Sequence, residues 1–201
     1  ATFLTNEIEL VNPLLADYSS LRFSLLPNLL KTVQENFKQK NRSMEGFEYG
    51  HVFCSSSKIK FQEKEHVAGI FGGLQSKLSW TNLELGISWF EAKGKIEQLF
   101  DQLNLFPYWK PCSNRKEIQL LHPYRNAEIY SDEGKSFGVF GQIHPLLANK
   151  LNLSSEIYLF EFDLEVMEFQ IQKNKLTFYK SYSLYPKIVK DLSFIIQKDI
   201  P

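Results

Sequence analysis

The chain has 201 residues, enough to bury one substantial core and a fragment of a second domain. Its 23 lysines and arginines balance 23 aspartates and glutamates, which argues against a whole-surface grip on nucleic acid and leaves room for a local basic stripe. Apolar runs of only a few residues are too short to span a bilayer, and Ala1-Thr2-Phe3-Leu4 opens with neither the basic nor the long apolar region of a signal peptide.

In chain order, Ile8-Glu9-Leu10-Val11 reads as a short strand closed by Asn12-Pro13. A helix is predicted from Pro27, whose missing N–H costs nothing in the first turn, to Lys40. Leu29, Leu30, Val33 and Phe37 share one face of it. Phe47–Phe53 and Ile59–Phe61 read as a hairpin about a serine turn. A further strand, His66–Phe71, ends at Gly72-Gly73. After a loop over Lys77–Gly86, Ser88 is a suitable N-cap for a helix with Glu91 near its start. Ile96, Leu99, Phe100 and Leu103 form its apolar face.

Strands follow at Glu117–Leu121, Ala127–Tyr130 and Phe137–Ile143, then a short helix opened by Pro145 over Leu146–Leu151. Ile157–Leu164 alternates, with Phe160, Phe162 and Leu164 on one side and Glu161, Asp163 and Glu165 on the other. Strands outnumber helices and often follow one another, which predicts an α+β domain around a mostly antiparallel sheet. The pattern restarts at Tyr185-Pro186 and the apolar run Leu192–Ile196. We read this as the first strand of a second domain, cut short at Pro201.

Several stretches, in this order, resemble the β subunit of bacterial-type phenylalanine–tRNA ligase. They are Asn12-Pro13-Leu14 with Leu21–Leu30 and Phe47–Phe53; Trp89-Phe90-Glu91-Ala92-Lys93-Gly94; and His122-Pro123-Tyr124-Arg125-Asn126-Ala127 with Gly138–Pro145. Tyr185–Phe194 resembles the opening of that subunit's ferredoxin-like anticodon-binding domain. The resemblance implies a class II aminoacyl-tRNA synthetase-like antiparallel sheet flanked by helices over 1–180, with the anticodon-binding domain starting in 181–201. It also implies an α2β2 heterotetramer that charges tRNA(Phe) with phenylalanine, using ATP and magnesium. In that family the α subunit does the chemistry, and the β subunit's editing and magnesium sites lie in other domains. The Trp89–Gly94 form is similar to cyanobacterial and plastid versions. Together with an AT-rich coding bias (four arginines among the basic residues, 17 Phe, 9 Tyr) it points to the plastid stroma, with a bacterial cytoplasm as the alternative.

Adenylate formation needs arginines aimed at phosphate oxygens. Where the catalytic paralogue has arginine after its motif 2 strand, this chain has Cys54-Ser55-Ser56-Ser57. Its motif 3-like stretch Leu159–Glu165 has neither glycines nor arginine, and Glu161, Asp163 and Glu165 would repel triphosphate. No catalytic, cofactor-binding or metal-binding residue is therefore expected in this segment.

The remaining candidates favour structural readings. His51, His66, His122 and His144 are dispersed and suit structural or surface roles better than a metal set. Glu161, Asp163 and Glu165 suit a solvated or interface-facing strand edge better than acid–base catalysis. Gly138 and Gly141 suit close packing within the sheet better than a phosphate cradle. Cys54 lacks an assignable base, and with Cys112 it reads as a free thiol in a reducing compartment. Trp80, Trp89, Phe90, Tyr108 and Trp109 could stack on bases, but anchoring a subunit interface is the favoured reading.

The function expected is that of a non-catalytic domain docking on the α subunit, through the helices Pro27–Lys40 and Phe90–Leu103. The rivals are a stand-alone adenylate-forming ligase and a tRNA-binding module.

Overall fold

The computed structural model describes residues 8–13, 19–41, 43–54, 61–73, 86–112, 119–173, 179, 181–182 and 184–195. Four helices and six strands follow in the order α1 (Leu26–Lys38), β1 (Ser43–Cys54), β2 (Gln62–Gly73), α2 (Trp89–Gln102), β3 (Tyr108–Lys110), β4 (Leu121–Tyr130), β5 (Ser136–Ile143), α3 (Pro145–Leu151), β6 (Ile157–Asp163) and α4 (Leu164–Lys173). The strands form one sheet, β1-β2-β6-β5-β4-β3, in which every neighbouring pair is antiparallel.

Period-2 alternation divides the sheet's side chains between two cores. On one face α1 supplies Leu26, Leu29, Leu30 and Val33, and α3 supplies Ala148, against Ile70, Ile143 and Leu159. On the other, α2 supplies Ala92, Ile96 and Phe100, and α4 supplies Met167, against Ile129, Phe140, Tyr158 and Phe162. The second core is largely aromatic. Phe140 stacks on Trp89 at 5.3 Å and Phe100 lies 5.4 Å from Phe162. Burial pushes the Tyr158 hydroxyl up to about 12, and it donates to the Ile87 carbonyl at 3.0 Å, so its polar tip is satisfied inside the core.

Local signals work as the sequence suggests at α2. The Ser88 hydroxyl accepts from Glu91 N–H and the Glu91 carboxylate accepts from Ser88 N–H at 2.7 Å, a reciprocal capping box. Those hydrogen bonds hold the Glu91 carboxyl below its usual range. Proline also opens α1 and α3, as expected.

Five expectations need correction. The two strands foreseen at Ile59–Phe61 and His66–Phe71 are a single strand from Gln62, paired with β1 along twelve residues; 59 and 60 lie outside the described residues. Of the strand foreseen at Glu117–Leu121 only Leu121 is in a strand, and it runs on with Ala127–Tyr130 as one, β4, interrupted by a bulge after Leu121; 117 and 118 lie outside the described residues. Pro123 has no N–H to give a ladder, which suits that interruption. The alternation at Ile157–Leu164 stops at Asp163, so Leu164 and Glu165 belong to α4. Residues 192–195 form no strand and leave Leu192 and Phe194 exposed, since a lone strand has no ladder partner. The fifth concerns β6 as a strand edge, corrected where its carboxylates are described.

Near the N-terminus Leu10 N–H and Leu21 N–H bond to the carbonyls of Ser19 and Ile8, a small antiparallel contact at the foreseen first strand.

Candidate functional site

Three carboxylate contacts cluster where the segment before α1 meets β1, β2 and β6. β6 is an interior strand, bonded to β2 and to β5, so Glu161 and Asp163 do not stand on a solvated or interface-facing edge. Glu161 is only 8% exposed. A buried carboxylate must be paired or fully hydrogen-bonded, and Glu161 is both. Ser24 Oγ donates to it at 2.6 Å, Leu25 N–H at 3.1 Å and His66 Nδ1 at 2.9 Å.

These bonds solve a local problem. Leu25 is the N-cap of α1, and its side chain can cap nothing. The carboxylate from β6 takes one free N–H at the helix start, and Ser24 Oγ accepts another from Leu26 at 3.2 Å. The helix therefore borrows its cap from the far half of the chain.

Two further ion pairs flank this one. Lys64 Nζ contacts Asp163 at 2.6 Å. Partial burial opposes the ammonium, but the hydrogen bond and charge of Asp163 prevail and raise its pKa. Asp163 also accepts from Val166 N–H at 3.3 Å, so it caps the start of α4. Arg22 pairs with Glu48, and its Nε donates to the His51 carbonyl at 2.9 Å. Gly50 is what lets the guanidinium lie flat here, because a Cβ at that position would stand 2.2 Å from Arg22 Nη2.

Chemically, this face holds α1 and the β1–β2 hairpin onto β6. Its two cations, Arg22 and Lys64, and the His66 ring are each already engaged by a carboxylate.

The other candidates fall elsewhere. His51 lies exposed against Glu63, and His144 caps α3 by accepting from Leu146 N–H. His122 Nδ1 accepts from both Tyr124 N–H (3.1 Å) and Arg125 N–H (3.2 Å), which fixes the bulge of β4. Burial first, then the charges of Arg125 and His144, hold the His122 imidazolium below its ordinary 6.5.

Protonating Nδ1 would break both bulge bonds. The neutral ring's contribution to stability is therefore full above pH 6.5 and lost as pH falls through the lower folded value. An NMR titration should place His122 below 6.5, and the amides of Tyr124 and Arg125 should shift over the same range. A His122 titration above 6.5 contradicts this arrangement.

Among the described residues no group of three or more His, Cys, Asp or Glu side chains could hold a metal ion. Cys54 is exposed, Cys112 is buried, and the two are not joined in a disulfide. Gly138 and Gly141 serve close packing. A Cβ on Gly138 would lie 2.4 Å from the Glu161 carbonyl, and one on Gly141 2.9 Å from that of Arg125. Trp89 and Trp109 are half-buried against the aromatic core, Phe90 and Tyr108 are exposed, and Trp80 lies outside the described residues, as do Ser55–Ser57.

Both helices expected at an interface turn their apolar faces to the sheet. Exposed apolar surface appears on β1 at Phe47 (77% exposed) and Tyr49, and Phe47 borders a cleft of about 530 Å³. Phe71, Phe160, Ile96 and Met167 line it, with the Lys95–Glu45 ion pair at 3.0 Å on its rim.

Residues 3–164 match the family model described as the phenylalanyl tRNA synthetase beta chain CLM domain. The chain is 61% identical, over 99% of its length, to the chloroplastic phenylalanine–tRNA ligase beta subunit of Phaeodactylum tricornutum, of which it covers 28%. It is 37% identical over 94% of its length to the beta subunit of Trichormus variabilis, covering 23% of it. With the chloroplastic subunit of Porphyra purpurea it shares 34% identity over 96% of its length and 27% of that protein. The chain thus spans about a quarter of the length of these curated relatives. Among solved structures, a pyrrolysyl tRNA synthetase from Desulfitobacterium hafniense superposes with a TM-score of 0.54 at 14% identity, over 84% of this chain and 54% of that one. That likeness concerns the fold, an antiparallel sheet flanked by helices as in a class II synthetase.

Proposed function

Since the chain belongs to the phenylalanyl-tRNA synthetase beta chain family, we propose that it is the non-catalytic, synthetase-like core of a phenylalanine–tRNA ligase β subunit. In this reading it docks on a catalytic α subunit in an α2β2 enzyme that charges tRNA(Phe) with phenylalanine. ATP and magnesium are used by the assembly and not by this segment. Residues 1–180 form the core domain, and 181–201 begin a ferredoxin-like domain that would supply the missing partners of the apolar run after Tyr185. The compartment proposed is the plastid stroma, in keeping with chloroplastic relatives; the bacterial relatives keep a bacterial cytoplasm as the alternative.

The observation that carries the non-catalytic role is the state of the charges. Adenylate formation calls for cations uncommitted in the resting protein and pointed at developing phosphate charge. Here Arg22, Lys64 and His66 each face a carboxylate, and the central strand contributes Glu161 and Asp163. The candidate docking elements are the outward side of α1, Phe90 on α2, and Phe47 with Tyr49 on β1.

Co-purification of the β subunit with and without its α subunit, followed by aminoacylation with phenylalanine, tests the assignment. The two are expected to elute together and to charge tRNA only together. An α subunit that is stable and fully active alone would sink the docking role. Calorimetric titration of the β subunit with ATP and magnesium should give no binding heat at this domain, and heat abolished by changes at Arg22 or Lys64 would restore the ligase rival.

A further inference from the structure

The bulge of β4 is held more firmly than a surface loop requires. Pairing passes from Leu121↔Ile143 to Asn126↔Gly141, so β4 carries extra residues here that β5 does not match. Asn126, buried, donates through Nδ2 to the carbonyls of His122 (2.7 Å) and Pro123 (3.1 Å) and accepts at Oδ1 from Cys112 N–H (2.8 Å). The His122 ring closes the bulge from the other side. Arg125 Nη1 donates to Gln142 Oε1 at 2.9 Å, and Gln142, only 3% exposed, is itself anchored to the Ser155 carbonyl at 2.6 Å.

This satisfied network of buried amides contributes little to the apolar core. Its outward product is one tyrosine ring, Tyr124, left 91% exposed beside a guanidinium whose direction is fixed. Arg125 is exposed and makes no ion pair among the described residues, so the bulge presents one fixed guanidinium with N–H groups to spare.

We propose that Tyr124 and Arg125 form an RNA contact, in which the ring stacks on an unpaired base and the guanidinium takes an adjacent phosphate. Stacking needs an aromatic face already in solvent, and phosphate needs a pre-aimed planar fork of donors; this bulge supplies the two together. His122, Asn126 and Gln142 are positioning residues that hold the pair. The inference rests on the reading above, that the assembly handles RNA, and adds where this domain touches it.

The test uses the assembled enzyme with full-length subunits and tRNA as the probe, affinity being measured over a series of salt concentrations. Tyr124→Ala should weaken binding by about ten-fold or more, while Tyr124→Phe, which keeps the stacking face, should stay near wild type. Arg125→Gln should weaken binding and lower the slope of log affinity against log salt by about one. Tyr124 and Arg125 variants with wild-type affinity and slope overturn the inference. So does a variant enzyme that falls apart into subunits yet binds RNA normally when reassembled, since the tip would then be a protein contact. An assembly that binds no tRNA with both residues intact overturns this inference and the proposed function together.

Discussion

Replacing Glu161 by alanine is expected to lower the unfolding free energy by about 3–5 kcal/mol, because several buried donors are left without their acceptor and each costs about 1–3 kcal/mol. Three donors lose their acceptor at once: the Ser24 hydroxyl, the Leu25 N–H and the His66 ring. Two of these sit at the start of α1, so the damage should concentrate there. Glu161→Gln keeps an acceptor for Leu25 N–H but loses the charge and the second oxygen that accepts from Ser24 Oγ, so its penalty should be smaller, about 1–3 kcal/mol. Urea denaturation of both variants, with hydrogen exchange on the α1 amides, measures this. A loss under about 1 kcal/mol for the alanine variant, or exchange unchanged in α1, would remove the carboxylate from its capping role.

Phe100→Ala should cost a similar amount, about 3–5 kcal/mol, for a different reason. The ring is 1% exposed and touches Phe162, Phe137 and Trp109, so it joins α2 to three strands of the sheet. Those neighbours are large, rigid rings that cannot close the space left behind, which places the cost toward the upper end. Phe90→Ala on the same helix is the control: its ring is largely in solvent, and the change should stay within about 0.5 kcal/mol. Denaturant midpoints for the two variants decide the matter. Equal losses at both positions would mean that α2 is rotated from the orientation described.

Much of this architecture was legible from residue order. The helix face of Leu29, Leu30 and Val33, the Ser88–Glu91 capping box and the proline at the head of α3 all announce themselves within a few neighbouring residues, because their causes are local. What escaped notice depends on distant partners. Nothing in the alternation of Phe160, Glu161, Phe162 and Asp163 says whether the strand lies inside the sheet or at its margin; that is decided by β2 and β5. Glu165 continued the same alternation by coincidence, which hid the start of α4. β3 is three residues long, too short for any period to show.

The charged site was half visible. The missing arginine and glycines could be located by position, but the pairing of Arg22, before α1, with Glu48 on β1 and of His66 on β2 with Glu161 on β6 joins residues far apart in the chain. Tyr124 stands within the stretch His122–Ala127, but its exposure depends on the hydrogen bonds of Asn126 and Gln142, which no spacing rule predicts.

The borrowed cap on α1 also imposes an order of events on synthesis. Ser24 and Leu25 leave the ribosome 137 and 136 residues ahead of Glu161, which at about 5–20 residues per second is roughly 7–27 s. Throughout that interval the start of α1 has only Ser24 Oγ and water as acceptors, and Leu26, Leu29, Leu30 and Val33 have no β6 to cover. Docking of α1 on the sheet, and completion of its cap, must therefore follow the synthesis of β6.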